Sequence, residues 1–573
     1  MKYFGIDLGD GETAVAMVTG DGAVVPQILT LGNTKSILSL VGTDQSDNIV
    51  VGENVLLDFQ MKTRNSRFKS RFLRDEKASE HIRQFAKGVL ELVQGELAKE
   101  RYENVRIALG CPAGWAVPDR QRYAALITQA GFPNVYTVSE SRAAFMYANH
   151  SSDLKLSAQQ LSRPALVIDI GSSTTDFAHI VNGRETNVGV FGSNALGGGL
   201  IDHYLLEDAL ENSPDRDQLT RIFAEYPVWR SYCELDARRV KEDYFTALND
   251  GESSPCISRS SNVYLDINNP LLINFQLDKS VVKRVLERKI PELNGRCFME
   301  ELAEALKQAQ VNTADYPPEL VILTGGASRM GFFRDACKEA FPNAQHIPCP
   351  QPEYSIAYGL SVAARTDHAL TLFREEISKL FDNHDFFRME IIRNLPILQT
   401  ELTPVLLKGI KRALKDTLNH DGFMNRQQLA TLFEKHGVER LQESDILEET
   451  NRVISHWAVE NLSKVQDAIN LNCDKYYVDR MDMSLAKMEI NYPVKNLKLP
   501  LGTLLLSLLN KIPLIKKITP ALSFFLESTM EKQVSQSLLE PNGTIAKQLI
   551  SSLDAELRRI INERIANIEL LIH

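Results

Sequence analysis

The sequence predicts an α/β region of about 365 residues followed by a mainly α-helical region, and three observations carry this. Short runs rich in Val, Ile, Leu and Phe, each closed by Gly, Asp or Asn, alternate with helical stretches up to Arg365. That alternation disappears after Thr366, where apolar residues recur at i, i+3 and i+4, as in Leu370–Phe381 and Ile545–Leu571. The length of 573 residues is several times one domain core, so a single small fold is excluded. Strands are expected at Tyr3–Leu8, Thr13–Thr19, Val105–Leu109, Ala165–Ile170, Asp176–Val181 and Leu320–Thr324. The first region, 1–365, is expected to form two lobes, roughly 1–165 and 166–365, and 366–573 a helical domain without a β-sandwich.

Charged residues at 24% and hydrophobic ones at 44% are ordinary globular composition, which excludes a wholly disordered chain. Lys and Arg number 64 against 74 Asp and Glu, a net charge of −10, so a nucleic-acid partner is not expected. The seven cysteines are scattered without a CxxC pair, which favours a reducing compartment over a disulfide framework. The start MKYFGIDLGDGETAVA does not read as a secretory signal, and a cytoplasmic location is expected.

In the helical region Leu497–Leu526 is the most apolar stretch, but Lys511, Lys516, Lys517, Pro513 and Pro520 interrupt it, so it is too short to span a bilayer. A buried helical hairpin is one reading, and an interfacial hairpin contacting a membrane or partner the other. TLNHDGFMNRQQ imitates a calcium loop through Asn419, Asp421 and Gly422, but Thr417 and Gln428 stand where acids are needed, so calcium is not expected.

The chemistry points elsewhere. FGIDLGDGETAVA ends an apolar strand with Asp7, turns through Gly9, Asp10 and Gly11, and begins a second strand; LVIDIGSSTTDFAHI repeats this with Asp169, Gly171, Ser172, Ser173 and Thr174, then Asp176. A strand-end carboxylate is expensive to desolvate without a partner, and small residues beside it let backbone N–H groups wrap phosphate oxygens. Asp7 and Asp169 facing one another across a cleft would suit a hydrated Mg²⁺. LVILTGGASRMGFF adds a third glycine turn, Gly325 and Gly326, running into a helix whose N-terminus suits an anion or nucleotide.

Together these residues resemble the nucleotide-binding domain of the 70-kDa heat-shock chaperone family, within the actin-like and sugar-kinase-like ATPase superfamily. The resemblance covers roughly Met1–Arg365 and is shared by connecting pieces: CPAGWAVPDRQR (Pro112, Arg120), SESRAAFMYA (Glu140), LGGGLID (Gly197, Gly198, Asp202) and QPEYSIAYG (Glu353). It implies an actin-like, two-lobed duplicated fold that binds ATP/ADP and Mg²⁺ and hydrolyses ATP. Asp7 and Asp169 would bind metal through water, Thr174 would meet the attacking water or γ-phosphate, and Glu140 would polarise water or metal. Lys69 or Arg71, in SRFKSRFLRDEK, would neutralise phosphate. Gly9, Asp10, Gly11, Glu12, Thr13, Gly171, Ser172, Ser173, Gly197 and Gly198 would surround the phosphates. Lys241, Glu242, Gly325, Gly326, Ser328 and Arg329 would hold the nucleoside.

The departures are equally specific. Asp10 and Gly11 replace two family threonines, so hydrolysis is slower or Asp10 contacts metal. In LDARRVKEDYF, Lys241 is kept while Arg238, Glu242 and Phe245 stand where the family has an acid, an arginine and a serine. Glu242 then serves the ribose or pairs with Arg238. The expected function is an atypical chaperone-like ATPase whose helical C-terminal domain engages a protein client or partner, or a membrane through 497–526. The alternatives are an actin-like membrane-associated scaffold, a non-hydrolysing nucleotide sensor and a small-molecule kinase.

Overall fold

The computed structural model describes residues 1–20, 25–58, 60–150, 163–181, 184–186, 192–193, 196–264, 270–382, 384–419, 425–476, 478, 480–481, 483–484, 499–512, 520–540 and 543–572. The chain divides into two compact units, Met1–Asp367 and His368–Leu570.

Met1–Asp367 is built on two mixed sheets of like order. In the first, β1 (Lys2–Leu8) pairs antiparallel with β2 (Glu12–Thr19) and parallel with β3 (Val105–Cys111), which runs parallel to β4 (Val135–Ser139). In the second, β5 (Ala165–Ile170) pairs antiparallel with β6 (Thr175–Val181) and parallel with β7 (Leu320–Thr324), which runs parallel to β8 (Gln345–Pro348). Antiparallel neighbours can be joined by a tight turn, whereas parallel ones need a crossover, and the helices occupy those crossovers.

Strand periodicity decides which side chains meet. Successive residues of a strand face opposite ways. On β1, Phe4, Ile6 and Leu8 enter a core shared with α1 (Glu76–Leu97) and α2 (Val117–Gln129). Tyr3 faces a different core, containing Ala143 and Ala144 of α3 (Glu140–His150), and Asp7 shares its face. On β5, Leu166, Ile168 and Ile170 pack with α4 (Gly198–Glu211) and α5 (Pro227–Asn249). Ala165 and Val167 join the same core as Tyr3, together with Ile356, Leu360 and Ala363 of α6 (Ser355–Asp382). Helices α3 and α6 therefore lie between the sheets, and the parity that buries Phe4 and Leu166 outward turns Asp7 and Asp169 inward.

Helix α6 also returns the chain to β1: a Cβ on Gly5 would collide with the backbone of Ala357 and Ser361. The first sheet is thus covered by a helix that follows the last strand of the second. The Arg142 guanidinium of α3 grips the Asp367 carboxylate of α6 with bonds of 2.5 and 3.1 Å, and Tyr136 donates to it at 2.9 Å.

His368–Leu570 contains no strand among its described residues. Its long helix α7 (His384–Leu418) packs against α8 (Arg426–Leu441), α9 (Ser444–Asn461) and, further on, Pro520–Leu539. Trp457 is fully buried and donates to the Asn394 carbonyl at 3.0 Å. The first half of the apolar stretch forms a helix, Leu501–Leu509, that buries Leu501, Gly502, Leu505 and Leu508 against α8. The second half differs from a wholly buried hairpin: Phe524 is 75% and Phe525 54% exposed, because they lie on the outer side of Pro520–Leu539. Residues 497–498 and 513–519, which include the expected turn, lie outside the described residues, as do Asp421 and Gly422 of the calcium-like stretch. No described helix is long and apolar enough to cross a membrane.

The closest helix crossing gives a test. A Cβ on Gly359 would overlap the Ala143 carbonyl oxygen. Alanine gains about 1 kcal/mol of helix propensity over glycine, but overpacking costs roughly 3 kcal/mol where backbone cannot retreat. Gly359→Ala is expected to lower the urea midpoint of the first unit, while Gly95→Ala, which meets nothing within 4 Å, leaves or raises it.

Candidate functional site

The two Asp-bearing hairpins have the same turn geometry. Gly9 N–H donates to the Glu12 carbonyl at 3.0 Å, and Gly171 N–H donates to the Thr174 carbonyl at 2.9 Å. The turns nearly touch: a Cβ on Gly11 would lie 2.6 Å from Ser172 Oγ. Gly325, at φ +80°, approaches Asp169 so closely that any Cβ would overlap its carboxylate. Between these elements lies a cleft of about 1090 Å³ lined by Asp7, Lys69, Glu140, Asp169, Thr174 and Asp176.

The cleft concentrates negative charge. Asp169 and Asp176 stand directly opposite one another on β5 and β6, an arrangement unfavourable for two carboxylates. Burial pushes the Asp7 carboxyl up to about 7, with Lys69 opposing and Glu140 reinforcing the shift. Asp176 is pushed up to about 6 by burial, against the hydrogen bond it accepts from Thr174 at 2.7 Å. Asp169 is raised well above the ordinary carboxylate range by burial and by Glu140, Asp176 and Asp7. Burial disfavours the Lys69 ammonium, but its ion pair with Glu140 and the fields of Tyr123 and Asp7 hold it above its usual value. Four acids around one lysine make a site short of positive charge, which suits a cation. Among the described residues no three His, Cys, Asp or Glu side chains gather tightly enough to hold one ion.

The expected residues take distinct places. Lys69 is 7% exposed and reaches the carboxylates, whereas Arg71 sits at the rim, donating to the Ser66 and Arg67 carbonyls and facing Asp75. Asp10 accepts from Ser70 N–H at 3.1 Å, tying the first turn to the Lys69 segment. Glu12 and Ser173 line the cleft. Thr13 does not: it pairs with Leu8 and so faces outward, where its hydroxyl bonds Ser39 at 2.9 Å. Thr174 lines the cleft with its hydroxyl committed to Asp176. Gly197 caps α4, and the N–H groups of Gly198 and Gly199 donate to the Gly171 and Ser172 carbonyls, so this loop braces the second turn.

Lys241 lines the cleft, pairs with Asp202 at 2.5 Å and donates to the Gly198 carbonyl at 2.9 Å. Glu242 pairs with Arg238 at 2.7 Å, and Arg238 also reaches Glu12 at 2.6 Å, joining α5 to β2. Gly325 and Gly326 line the cleft, while Ser328 is buried with its N–H on the Gly325 carbonyl. Arg329 lines the cleft in a two-pronged pair with Glu353. Pro112 and Arg120 line its far part, Arg120 donating to the Trp115 carbonyl at 2.7 Å. Sequence reasoning left Asp176 without a role; its signal was parity, since Asp176 lies opposite Asp169 across a tight hairpin.

Fold and site together define a mixed α/β protein with a helical C-terminal region, compatible with a distant relationship to the 70-kDa heat-shock chaperones. No protein-family profile matches the chain. The chain is similar to "Chaperone protein dnaK1" of Synechocystis sp. (strain ATCC 27184 / PCC 6803 / Kazusa), at 22% identity over 395 residues, covering 63% of this chain and 54% of that protein. It thus spans about half the length of this curated relative.

The raised carboxyls give a pH dependence of stability. A carboxyl whose folded pKa exceeds its unfolded value near 3.8 stabilises the fold below about pH 4 and loses that contribution as pH rises through the folded pKa. Asp7→Asn is therefore expected to match the parent at pH 4 and exceed it by roughly 4 kcal/mol at pH 8. Urea denaturation at the two pH values reads this directly, and a gain confined to pH 4 would contradict the buried-acid account.

Proposed function

We propose that this chain is an atypical chaperone-like ATPase with an actin-like, two-lobed duplicated fold at 1–365, which binds and slowly hydrolyses magnesium-ATP and thereby switches engagement of a protein partner by its helical C-terminal region. The observation that carries the reading is that two hairpins of identical turn geometry deliver Asp7 and Asp169 to one cleft beside Lys69 and Glu140.

In this reading Asp7 and Asp169 would hold magnesium through water, and the ion would supply neutralisation of phosphate charge. Lys69, rather than the rim residue Arg71, faces the transferring phosphate as a fixed positive charge. Backbone N–H groups of the two turns would surround phosphate oxygens. Asp176, with a carboxyl pushed up to about 6, accepts the proton of the attacking water near neutral pH, and Thr174 orients it. Glu140 positions Lys69. ATP spans both sheets and ADP spans them less completely, so occupancy biases their closure.

For the helical region, a protein partner is the leading occupant. Exposed Phe524 and Phe525, close in sequence to Lys511, Lys516 and Lys517, favour a peripheral membrane contact as the second reading. A cytoplasmic location is proposed in keeping with seven unpaired cysteines. Asp10, bound to Ser70 in place of a phosphate-facing hydroxyl, specifically favours the alternative of a sensor that binds without turnover.

The deciding measurement follows binding heat and phosphate release together, with ATP and ADP, with and without Mg²⁺. Asp169→Ala is expected to reduce magnesium-ATP turnover by roughly a hundredfold. Equal background release from both proteins eliminates the enzyme and leaves the sensor. Because the raised carboxyls must ionise to hold a cation, binding is expected to release protons and to strengthen from pH 5.5 to pH 7.5, as calorimetry in two buffers of different ionisation enthalpy would reveal.

A further inference from the structure

Tyr123 is fully buried on α2, and its hydroxyl has no hydrogen-bond partner among the described residues. Taking a phenol hydroxyl out of water without a partner costs stability that a phenylalanine ring in the same space would not. Packing fixes the ring in place. It lies 5.5 Å from the Phe72 ring and 5.1 Å, edge-on, from that of Trp115, while the Arg122 guanidinium covers Phe72 at 4.3 Å. Phe72 donates its N–H to the Lys69 carbonyl at 3.1 Å, so the aromatic stack adjoins the helical turn Phe68–Arg71 that carries the lysine.

The unpaired hydroxyl belongs to the electrostatic neighbourhood of the cleft. Burial raises the phenol above its usual value, with Lys69 opposing and Glu140, Cys111 and Asp7 reinforcing the shift, so the group keeps its proton. The Glu140 side chain stands over the end of β3, where a Cβ on Gly110 would lie 3.4 Å from its Cγ and 3.6 Å from its Oε1. Cys111, next along the strand, faces the core that holds Tyr123. Lys69 and Glu140 already satisfy one another there. Of these two, only the carboxylate can take the phenol's proton in a hydrogen bond.

Resting on the phosphate-site reading above, we infer that Tyr123 is a positioning residue whose hydroxyl replaces Lys69 on the Glu140 carboxylate when the ammonium turns to a bound phosphate. Without a replacement, that move strips a buried carboxylate of its counter-charge, which is the costly way to break a buried pair. A hydrogen bond to a charged acceptor is of the stronger kind and offsets part of that cost. The hydroxyl is thus unpaired while Lys69 holds Glu140 and paired once Lys69 leaves. It favours the phosphate-bound arrangement by differential stabilisation, at the expense of the other.

Calorimetric titration of the full chain with magnesium tripolyphosphate and magnesium-ATP, beside urea denaturation without ligand, tests this. Tyr123→Phe removes the hydroxyl and keeps the ring. It is expected to leave the ligand-free urea midpoint equal to the parent's or higher, and to weaken both ligands by about tenfold. In a Glu140→Gln background, where the departing ammonium leaves no charge behind, the same substitution is expected to change affinity by less than about twofold. Tripolyphosphate is transparent in the near ultraviolet, so its binding also gives a spectroscopic readout. The tyrosine absorption is expected to move to longer wavelength in the parent, as for a phenol that begins to donate, and not in Tyr123→Phe. A lower ligand-free midpoint, an unchanged affinity, a tenfold loss that persists beside Glu140→Gln, or the same spectral change in parent and variant overturns the role of Tyr123 and leaves the phosphate site standing. A parent that binds neither ligand overturns the phosphate-site reading and this inference with it.

Discussion

The arrangement depends on one constraint, the two-residue repeat of a β-strand. Phe4, Ile6 and Leu8 must face outward to cover α1 and α2, and Leu166, Ile168 and Ile170 must face outward to cover α4 and α5. With those faces assigned, Asp7 and Asp169 have nowhere to point but inward, into the space between the sheets. Shifting either strand by one residue would expose an apolar row and withdraw the carboxylate together. Core packing therefore holds the acids in place against their own desolvation, which is large enough to raise Asp7 to about 7.

That electrostatic tension organises the rest of the site. Among the described residues Lys69 is the single buried cation beside Asp7, Glu140, Asp169 and Asp176, and it is stable there because Glu140 stands against it at the head of α3. Asp10 fastens the Lys69 segment to the first turn through Ser70. At the other end of the cleft the charges are consumed by one another: Arg238 with Glu12 and Glu242, Lys241 with Asp202. One end thus gathers four acids around a single lysine, while at the other each cation, Arg238 and Lys241, is held by acids of its own.

Much of this was readable from the chain. The six expected strands lie within one or two residues of the observed ones, because each is an apolar run cut by glycine or an acid. The duplicate turns were readable because Asp and Gly recur at matching positions, and their hydrogen bonds match too. Thr13 was misjudged by neighbourhood alone; counting outward from Leu8 shows that it shares that residue's buried face. Asp176 was overlooked for the converse reason, since its place opposite Asp169 follows from hairpin register. Phe524 and Phe525 sit in an apolar run whose composition does not say which side of a helix will find a partner.

Local chemistry, then, was sufficient for the strands, the two acid-bearing turns and the change to helices after the α/β region, since each depends on residues a few positions apart. Choosing Lys69 over Arg71 for the interior, pairing Arg238 with Glu12 and committing Lys241 to Asp202 required the folded chain. Side chains two positions apart compete for one cleft, and partners more than two hundred residues distant are brought to it. Only the packing of β1, α3 and α5 around shared space determines which cation is desolvated and which acid meets it.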